Sequence, residues 1–422
     1  MGRHTISRAI ETIGNAQQDW SSIYRLFERD RVDLGYIQQV IRRRVQESYD
    51  VPGEPLIAFI DDTLLKKRGQ KVHGTSWKLD PLGPKFSHNF IWAQRYMQIS
   101  LAQKYADGHC RGIPILFQHC PVPRRPKKSA PPEQWDEYKA LQKKMCLPQK
   151  ASEAILNLQN SLDGQKVIVV GDGGYTNKSV CRAMAENGVY LGRLRKDARL
   201  FAAPDLQNTG KGRKKYYGEA LPSPEEIRKG NKNWSEVVAY TGNGAHIFKI
   251  MSINHVRSKI TGGKDLKILI IQPLRYRLSA KTELLCRDAA YLLCTDTGLS
   301  DEKILQYYLW RWEIELNFKD EKSLLGIHQA QVRTQKSVDS FPGFVAATYS
   351  LFLLTASCVN PQYPKWRADE TIWRTSTNKL LAAFRMDLLQ SNKSAFDTAT
   401  AGNPKPLLFN LHWQNVIQAA MN

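Results

Sequence analysis

Two short hydrophobic runs that each end in acidic residues constrain the fold of this chain more than any other feature. Residues 56–60 (LIAFI) are followed by Asp61 and Asp62, and residues 166–170 (KVIVV) are followed by a GDGG turn that contains Asp172. Runs without polar alternation are typical of strands that are buried on both faces of a sheet. The sequence therefore predicts a central sheet with helices on both sides and with carboxylates at the ends of two strands.

Further periodic segments extend this pattern into an ordered set of elements. Strands are predicted at residues 90–102, 113–117 and 189–194, and helices at residues 135–145, 152–162 and 177–187. Together with the first two runs, the order is three strands, a helical segment, a strand, a helix and a strand. This is the element order of the ribonuclease H-like fold, with carboxylates at the first and fourth strands. We therefore predict an α/β fold with a mixed sheet flanked by helices.

Changes in composition divide the chain into five predicted regions. They are a small helical N-terminal module (1–50), the first part of the catalytic core (51–197), a β-rich insertion (198–289), the second part of the core (290–358) and a C-terminal region without an assigned role (359–422). The insertion is inferred because the segment between Asp172 and Glu315 is far longer than a simple connection requires.

The N-terminal module supports two interpretations. Its last helix, within residues 36–47, contains Arg42, Arg43 and Arg44, which suits a contact with DNA. At about fifty residues the module is small for an independent domain, so a helical cap packed on the core is equally compatible with the sequence.

Residues 305–325 contain neither glycine nor proline and are predicted to form one unbroken helix. Four polar residues recur along it at spacings that bring them to one face: Tyr308, Arg311, Glu315 and Lys322. At about 100° per residue they fall within a sector of about 60°. Apolar residues of the segment fall on other sectors, so the stripe that docks the helix is distinct from this polar face: Leu309, Trp312 and Leu316. An ordinary surface helix with i,i+4 ion pairs is the alternative interpretation.

The spacing of these four residues resembles the signature of a group of bacterial insertion-sequence transposases of the DDE type. That resemblance implies a ribonuclease H-like catalytic domain in which Glu315 is the third metal-binding carboxylate. It also implies that Tyr308, Arg311 and Lys322 hold phosphates of the transposon end, with Lys319 as a candidate to extend this DNA-binding patch. The signature requires two further carboxylates upstream, each at the end of a strand.

The upstream carboxylates come from the ends of the two hydrophobic runs. The family pattern places its first aspartate directly before a threonine, which favours Asp62, because Thr63 follows it. Asp61 stays open as the less favoured alternative, because neighbouring strand residues point to opposite faces and only one of them joins a cluster. For Asp172 the alternative is a turn aspartate in GDGG. The family pattern of an aspartate followed by a glycine and an aromatic residue, here Tyr175, favours a catalytic role.

The resemblance implies two Mg²⁺ ions held by Asp62, Asp172 and Glu315, with Mn²⁺ able to replace them. Such ions activate the attacking water and stabilise the leaving oxygen when a phosphodiester is cleaved without a covalent intermediate. Hard oxygen ligands suit Mg²⁺, which takes one or two carboxylates per ion and keeps several waters. Without metal, repulsion between neighbouring carboxylates is expected to keep at least one of them from ionising.

The overall charge indicates a polyanionic partner. The formal net charge is +21 and the pI is near 9.6, a surplus that suits nucleic acid and an anionic membrane surface alike. The resemblance implies double-stranded DNA, namely terminal inverted repeats and target DNA, bound by a homodimer. Two basic clusters are predicted to contact the DNA backbone, with a solvated basic loop as the alternative: Arg193, Arg195, Lys196 and Arg199, and Lys211, Arg213, Lys214 and Lys215.

The predicted function is that of a cut-and-paste DNA transposase. It combines metal-dependent cleavage at the transposon ends with transfer of the freed 3′-hydroxyl into target DNA. Two alternatives stay open at this point. A ribonuclease H-like DNA endonuclease would cleave without strand transfer, and a catalytically silent DNA-binding protein derived from a transposase would only bind.

Composition disfavours membrane, secreted and zinc-binding classes. The most apolar segment, residues 344–359, is interrupted by hydroxyl side chains, so we expect no membrane partner. Residues 1–14 lack the hydrophobic core of a signal peptide. The seven cysteines are scattered, odd in number and without a CxxC pair, which disfavours disulfides and structural zinc. We therefore expect a cytoplasmic bacterial protein that associates with the nucleoid when it is bound to DNA.

Overall fold

The computed structural model describes residues 4–359, apart from short gaps, together with Thr377. The gaps are residues 13–16, 18, 30, 50–52, 85, 106–107, 109, 163, 205–214, 242–243 and 277–282. The predicted C-terminal region therefore lies outside the described residues, except for Val359 and Thr377. Three residues of the second predicted basic cluster also lie outside them: Lys211, Arg213 and Lys214.

The described elements begin and end with three helices each, and strands with a few intervening helices lie between them. The helices are α1 (Ile6–Thr12), α2 (Ser21–Glu28), α3 (Leu34–Tyr49), α4 (Pro132–Met145), α5 (Leu147–Asn160), α6 (Lys178–Arg182), α7 (Pro224–Gly230), α8 (Asp301–Trp310), α9 (Trp312–Ser323) and α10 (Gln335–Val359). The strands are β1 (Leu56–Lys66), β2 (Ser76–Leu79), β3 (Phe90–Lys104), β4 (Cys110–His119), β5 (Val167–Gly171), β6 (Gly188–Arg193), β7 (Leu200–Phe201), β8 (Ala220–Leu221), β9 (Ser235–Thr241), β10 (Gly244–Arg257), β11 (Asp265–Ile271), β12 (Leu274–Tyr276), β13 (Leu285–Arg287) and β14 (Ala290–Cys294).

Twelve of these strands form one mixed sheet in the described part of the chain. The order along it is β2-β3-β1-β5-β6-β14-β11-β10-β7-β8, with β4 and β9 pairing outside this path with β3 and β10. Strands β1, β5 and β6 are parallel to one another, and the other pairings of this sheet are antiparallel. Helices cover both sides. The predicted α/β class, a ribonuclease H-like mixed sheet flanked by helices, is confirmed.

The centre of the sheet is buried on two faces because side chains alternate along each strand. Even-numbered residues of β1, such as Ile60, pack in one core with Ile41 of α3 and Ile155 of α5. Odd-numbered residues, such as Phe59, pack in a second core with Ile314 of α9. We call these two sides the α5 face and the α9 face. Each fully buried side chain of this size contributes about 1.5–3 kcal/mol, so the hydrophobic runs hold both helical layers to the sheet.

The strands of the predicted insertion extend the central sheet. Strand β14 pairs with β6 and with β11, and β11 in turn pairs with β10. Only β12 and β13 form a separate two-stranded ribbon within the described residues. The β-rich segment thus continues the same hydrogen-bonded sheet, and the boundaries of the five regions stay a prediction.

The N-terminal helices pack on both faces of the sheet. Ile10 of α1 and Phe27 of α2 belong to the core of the α9 face, and Val45 of α3 belongs to the core of the α5 face. The ring of Phe27 also lies 5.1 Å from that of Phe341 and 5.4 Å from that of Phe344. This packing is the helical cap that the sequence left as one of two interpretations, and a DNA contact of these helices stays a prediction.

The prediction of one unbroken helix over residues 305–325 is wrong at Arg311, where the helix is interrupted, and at its end, because α9 stops at Ser323. Helix α8 ends at Trp310 and α9 begins at Trp312. At the junction the backbone N–H of Arg311 donates to the carbonyl of Tyr308, and that of Ile314 donates to the carbonyl of Arg311. These i→i+3 bonds tighten the turn and change the faces of the helix that follows. The α9 core contacts come from Ile314 and Phe318, whereas Trp312 is 58% exposed.

Helix α6 is shorter than the predicted helix over residues 177–187. The Asn177 side chain caps its first turn by accepting from the backbone N–H of Val180 at 3.2 Å. Beyond Arg182, the Gln159 amide donates to the carbonyl of Ala183 and accepts from the N–H of Ala185. These side-chain bonds replace helical ones and direct the chain into β6. The sequence also left two elements unpredicted: β2 and α7.

Helix α10 is apolar along most of its length and packs against the sheet. The stretch Gln335–Thr355 is long and apolar enough to cross a membrane, but 44% of its most apolar window is buried inside the protein. The Ser350 hydroxyl donates to the carbonyl of Pro114 on β4, and the Tyr349 hydroxyl donates to Asp320 on α9. These contacts are those of a core helix.

Candidate active site

The parallel pairing of β1 and β5 brings two aspartates together where that pairing ends, although β1 itself does not end at Asp61 as predicted but continues to Lys66. The last pair in the register joins Ile60 to Gly171, so Asp61 and Asp172 follow at equivalent positions. Carboxyl ends of parallel strands are the usual position of functional groups in open α/β sheets. Since odd-numbered residues of β1 point to the α9 face, the side chain of Asp61 points to the helix that carries the signature residues.

Arg311 joins Asp61 to Glu315 across this face. Its Nη1 lies 3.0 Å from Asp61 Oδ2, and its Nη2 lies 3.0 Å from Glu315 Oε1. The guanidinium carbon also lies 5.7 Å from the centroid of the Tyr308 ring. The Arg311 side chain is only 11% exposed, and its Nε is buried without a hydrogen-bond partner. Three of the four signature residues therefore meet beside Asp61, in the middle of β1.

Lys322, the fourth signature residue, contacts the same face of β1 two residues further on. Its Nζ donates to Thr63 Oγ1 at 2.6 Å. Burial lowers the pKa of Lys322, and neighbouring Lys66 lowers it further, while Glu321 raises it. Lys319, the additional candidate for DNA binding, lies on the exposed side of α9. The predicted signature residues thus follow the line of β1 on the α9 face.

Asp62 lies on the opposite face. Its Oδ1 accepts from the Tyr175 hydroxyl at 3.1 Å, and its Oδ2 lies 3.3 Å from Arg95 Nε. In the antiparallel pairing of β1 with β3 it stands opposite Met97, a residue of the α5-face core. The geometry therefore favours Asp61 over Asp62 as the partner of Glu315, which reverses the preference drawn from the sequence.

Asp172 combines the two interpretations that the sequence offered. Its Oδ1 accepts from the backbone N–H of Gly174 at 2.8 Å and of Tyr175 at 3.4 Å, as expected of a turn aspartate. It also lies beside both β1 aspartates and raises the pKa of each. The preceding Gly171 leaves no room for a side chain, because a Cβ there would lie 2.9 Å from Tyr175 Cβ and 2.8 Å from the Tyr190 hydroxyl.

The carboxylates of β1 are crowded and poorly solvated. Burial raises the pKa of Asp61 to about 7, Arg311 opposes this shift, and Asp172 adds to it. Burial also raises the pKa of Asp62, which Arg95 and the Tyr175 hydroxyl lower again. A carboxyl group with a raised pKa beside a second acid is an environment that a cation would stabilise.

The donors at this site suit a hard divalent cation. Asp61, Asp172 and Glu315 present carboxylate oxygens, the ligands that Mg²⁺ prefers. In the part of the chain that the structure describes, no three acidic, histidine or cysteine side chains are already grouped as a metal site. At Asp61 and Glu315, the Arg311 guanidinium already pairs with both carboxylates. The residue types therefore fit a metal, and Arg311 competes for the same oxygens.

The sequence reasoning missed the roles of Thr63 and Arg95. Thr63 accepts from Lys322, and Arg95 pairs with Asp62. The signal for Thr63 was available, because it lies two residues after Asp61 and hence on the same face of a strand. Arg95 lies in a predicted strand, but its partner depends on the register between β1 and β3.

Comparison with known families agrees with this arrangement. The family described as DDE superfamily endonuclease matches residues 1–247, a range that includes Asp61 and Asp172. The family described as Transposase DDE domain matches residues 149–351, a range that includes Asp172 and Glu315. No curated protein matches the chain. Since the first match covers more than half of the 422 residues, the chain belongs to the DDE superfamily of transposases and endonucleases, whose members cleave nucleic acids.

Proposed function

We propose that this protein is a DNA transposase that nicks the ends of its mobile element and joins the freed 3′-hydroxyl to target DNA. The observation that carries the proposal is the meeting of Asp61, Arg311 and Glu315 beside Asp172, where the parallel pairing of β1 and β5 ends. Support also comes from the two family matches and from the net charge of +21.

The catalytic carboxylates in this proposal are Asp61, Asp172 and Glu315. Asp61 replaces Asp62 because it shares a face with Glu315. Asp62 lies on the other face, where its oxygens contact Tyr175 and Arg95. These three carboxylates would hold two Mg²⁺ ions, or Mn²⁺ in their place. When bound, such ions activate water and stabilise the leaving oxygen.

The polar residues around the carboxylates have a distinct task, which is to bind phosphate. Once metal ions bind Asp61 and Glu315, the Arg311 guanidinium can donate a fork of hydrogen bonds to a phosphodiester. Lys322 adds a positive charge beside Thr63. Tyr308 contributes a hydroxyl, and the exposed Lys319 extends the patch. The substrate is double-stranded DNA with terminal inverted repeats. A homodimer holds two ends, and the protein works in the bacterial cytoplasm at the nucleoid.

The test uses purified protein with linear DNA that carries the borders of its coding region. In Mg²⁺ we expect strand nicking at each border, and with a supercoiled plasmid present we expect covalent joining of the cleaved end to the plasmid. Glu315→Gln should retain DNA binding and lose nicking. Nicking by this variant at a rate near that of the wild type would remove Glu315 from the proposed catalytic set.

A second candidate function is cleavage without strand transfer. The observation in its favour is the description of the longer family match, DDE superfamily endonuclease. The plasmid experiment separates the two functions, because a hydrolytic endonuclease would nick the border DNA and leave no joined product. A catalytically silent DNA-binding protein would do neither in Mg²⁺ or Mn²⁺.

A further inference from the structure

Two basic cavities adjoin opposite ends of the signature residues. The first, which we call the β6 cavity, has a volume of about 400 Å³ and begins at Gly173, the residue after Asp172. Four cationic side chains line it: Arg193, Arg195, Arg199 and Lys259. The lining includes one acidic residue, Asp197, which pairs with Arg195 at 3.0 Å. The β6 cavity therefore carries a surplus of positive charge directly beside the catalytic carboxylates.

Two lining residues of the β6 cavity contact its surroundings at the site: Arg193 lies near Tyr308, the first signature residue, and Thr176 lies near Asp172. Arg193 lies close enough to Tyr308 to lower the pKa of that phenol, which burial raises. The hydroxyl of Thr176 donates to the carbonyl of Asp172 at 3.3 Å. On the far wall, Lys259 comes from the segment after β10, with its Nζ 5.6 Å from the centroid of the Phe201 ring.

The second cavity, which we call the β1 cavity, has a volume of about 470 Å³. Its basic lining residues are Lys66, Lys67, Arg68, His328 and Arg333, and no acidic residue is among the described residues that line it. Lys67 is structural, because its Nζ donates to the carbonyls of His328 and Ala330, each at 3.1 Å. Burial lowers the pKa of Lys67 to about 8.

One exposed cationic side chain of the β1 cavity, Lys66, lies close to Lys322, the last residue of the signature. Lys66 lies three residues after Thr63 on β1 and pairs with Asp80 at 3.1 Å. Burial lowers the pKa of Lys322, and the nearby Lys66 lowers it further. Arg68 and Arg333 are both exposed at the rim.

We propose that the two cavities bind the sugar–phosphate backbone of one DNA on the two sides of the scissile bond. The β6 cavity takes phosphates on the Asp172 side, and the β1 cavity takes those on the Lys322 side. Phosphodiester groups fit both because several cationic side chains line each cavity, and the only acidic lining residue among the described ones is Asp197 of the β6 cavity. This inference rests on the proposed function, and it adds a DNA path formed by residues outside the signature.

The test compares two matched double variants in a binding assay that does not depend on cleavage. Arg199→Ala with Lys259→Ala alters the β6 cavity, and Arg68→Ala with Arg333→Ala alters the β1 cavity. Both are made in the Glu315→Gln background and assayed on border DNA. We expect each pair to weaken binding about tenfold and to reduce the salt dependence by about two released counterions. A control pair on α4, Lys143→Ala with Lys144→Ala, removes the same charge and should leave both quantities unchanged.

Neutral methylphosphonates placed singly along the border DNA then locate each contact. A methylphosphonate on one side of the scissile phosphate should no longer weaken DNA binding by the double variant of the β6 cavity. One on the other side should no longer weaken DNA binding by the double variant of the β1 cavity. Loss on the same side in both pairs, or behaviour of both pairs like the α4 control, overturns the DNA path even if the wild type nicks. If border DNA is bound along this path but never nicked, the proposed function fails and the path stands.

Discussion

The two faces of strand β1 hold similar groups that are arranged for different tasks. On the α9 face, Asp61 pairs with Arg311, which also pairs with Glu315. On the α5 face, Asp62 pairs with Arg95 and accepts from the Tyr175 hydroxyl. Each aspartate thus has one arginine.

The difference lies in what surrounds each pair. On the α5 face, Asp62 joins β1 to β3 through Arg95 and to the turn after β5 through Tyr175. That is a cross-link within the sheet. On the α9 face, the arginine is shared by two acids and belongs to a helix that also presents Lys322. A carboxylate and an arginine next to each other therefore mark a site only where a second acid and a further cation converge with them.

The largest expected effect is a difference in nicking rate between variants of Asp61 and Asp62. Asp61→Asn should slow nicking about a thousandfold, a barrier increase of about 4 kcal/mol, because it removes a proposed metal ligand. Asp62→Asn keeps an oxygen for the Tyr175 hydroxyl and should slow nicking by less than about tenfold. Single-turnover nicking rates measure both. Equal loss in two variants that remain folded by circular dichroism would restore Asp62 as the catalytic aspartate.

The second prediction concerns Gly171, the last residue of strand β5 and the residue before Asp172. Gly171→Ala should lower the free energy of unfolding by about 1–3 kcal/mol, because its Cβ would collide with Tyr175 Cβ and the Tyr190 hydroxyl. At Gly173, a Cβ would meet only the Arg193 carbonyl at 3.8 Å. Gly173→Ala is therefore the control and should change stability by less than about 0.5 kcal/mol. Urea unfolding compares them, and equal losses would contradict the close packing at Gly171.

The third prediction compares the two arginines. Arg311→Gln should raise the Mn²⁺ affinity of the DNA-free protein about tenfold, equivalent to about 1.4 kcal/mol, because the guanidinium no longer competes for Asp61 and Glu315. Arg95→Gln alters the pair on the other face and should leave Mn²⁺ affinity unchanged. Electron paramagnetic resonance of free Mn²⁺ reports binding without any cleavage. Unchanged affinity in Arg311→Gln would show that its ion pairs do not restrict the metal ligands.

The smallest expected effect concerns a carboxylate of α9 that faces the sheet. Glu321 is 1% exposed, and the Gln98 amide, turned with its nitrogen toward α9, donates to both carboxylate oxygens at 2.9 and 3.3 Å. Burial raises the pKa of Glu321 well above its usual 4.5, an effect that Lys322 opposes and Asp320 adds to.

A carboxyl group whose pKa is higher in the folded protein contributes its full stability at low pH, and that contribution decreases as pH rises above about 4.5. Glu321→Gln should therefore melt about 2–4 °C higher than the wild type at pH 8, corresponding to about 1 kcal/mol, with a smaller difference at pH 5. Differential scanning calorimetry at the two pH values measures this. A larger advantage at pH 5 than at pH 8 would contradict the sign.

Sequence alone was sufficient wherever local pattern and chemistry carry the information. The hydrophobic runs at residues 56–60 and 166–170 predicted two central strands, because only buried strands tolerate such composition. The Ser300 hydroxyl caps helix α8 by accepting from the backbone N–H of Lys303, as is typical of a serine directly before a helix. The spacing of the signature residues predicted that Tyr308, Arg311 and Glu315 would share a face.

Only the tertiary structure decided which β1 aspartate meets the signature. A run that is hydrophobic at every position contains no alternation, so LIAFI cannot reveal which face its following residues take. The pairing of β1 with β3 and β5 assigns Asp61 to one face and Asp62 to the other. The tight turn at Arg311 likewise depends on packing between α8, α9 and the sheet.

The two basic cavities also depend on tertiary structure, because each is lined by segments that are far apart in the sequence. The β1 cavity joins residues 66–69 to residues 328–333, and the β6 cavity joins residues 193–199 to residues 258–260. Local sequence determined the strands, the turns and the chemistry of each side chain, because these depend on neighbours in the chain. Sheet order and register determined which of those side chains meet, because these depend on contacts between segments far apart in sequence.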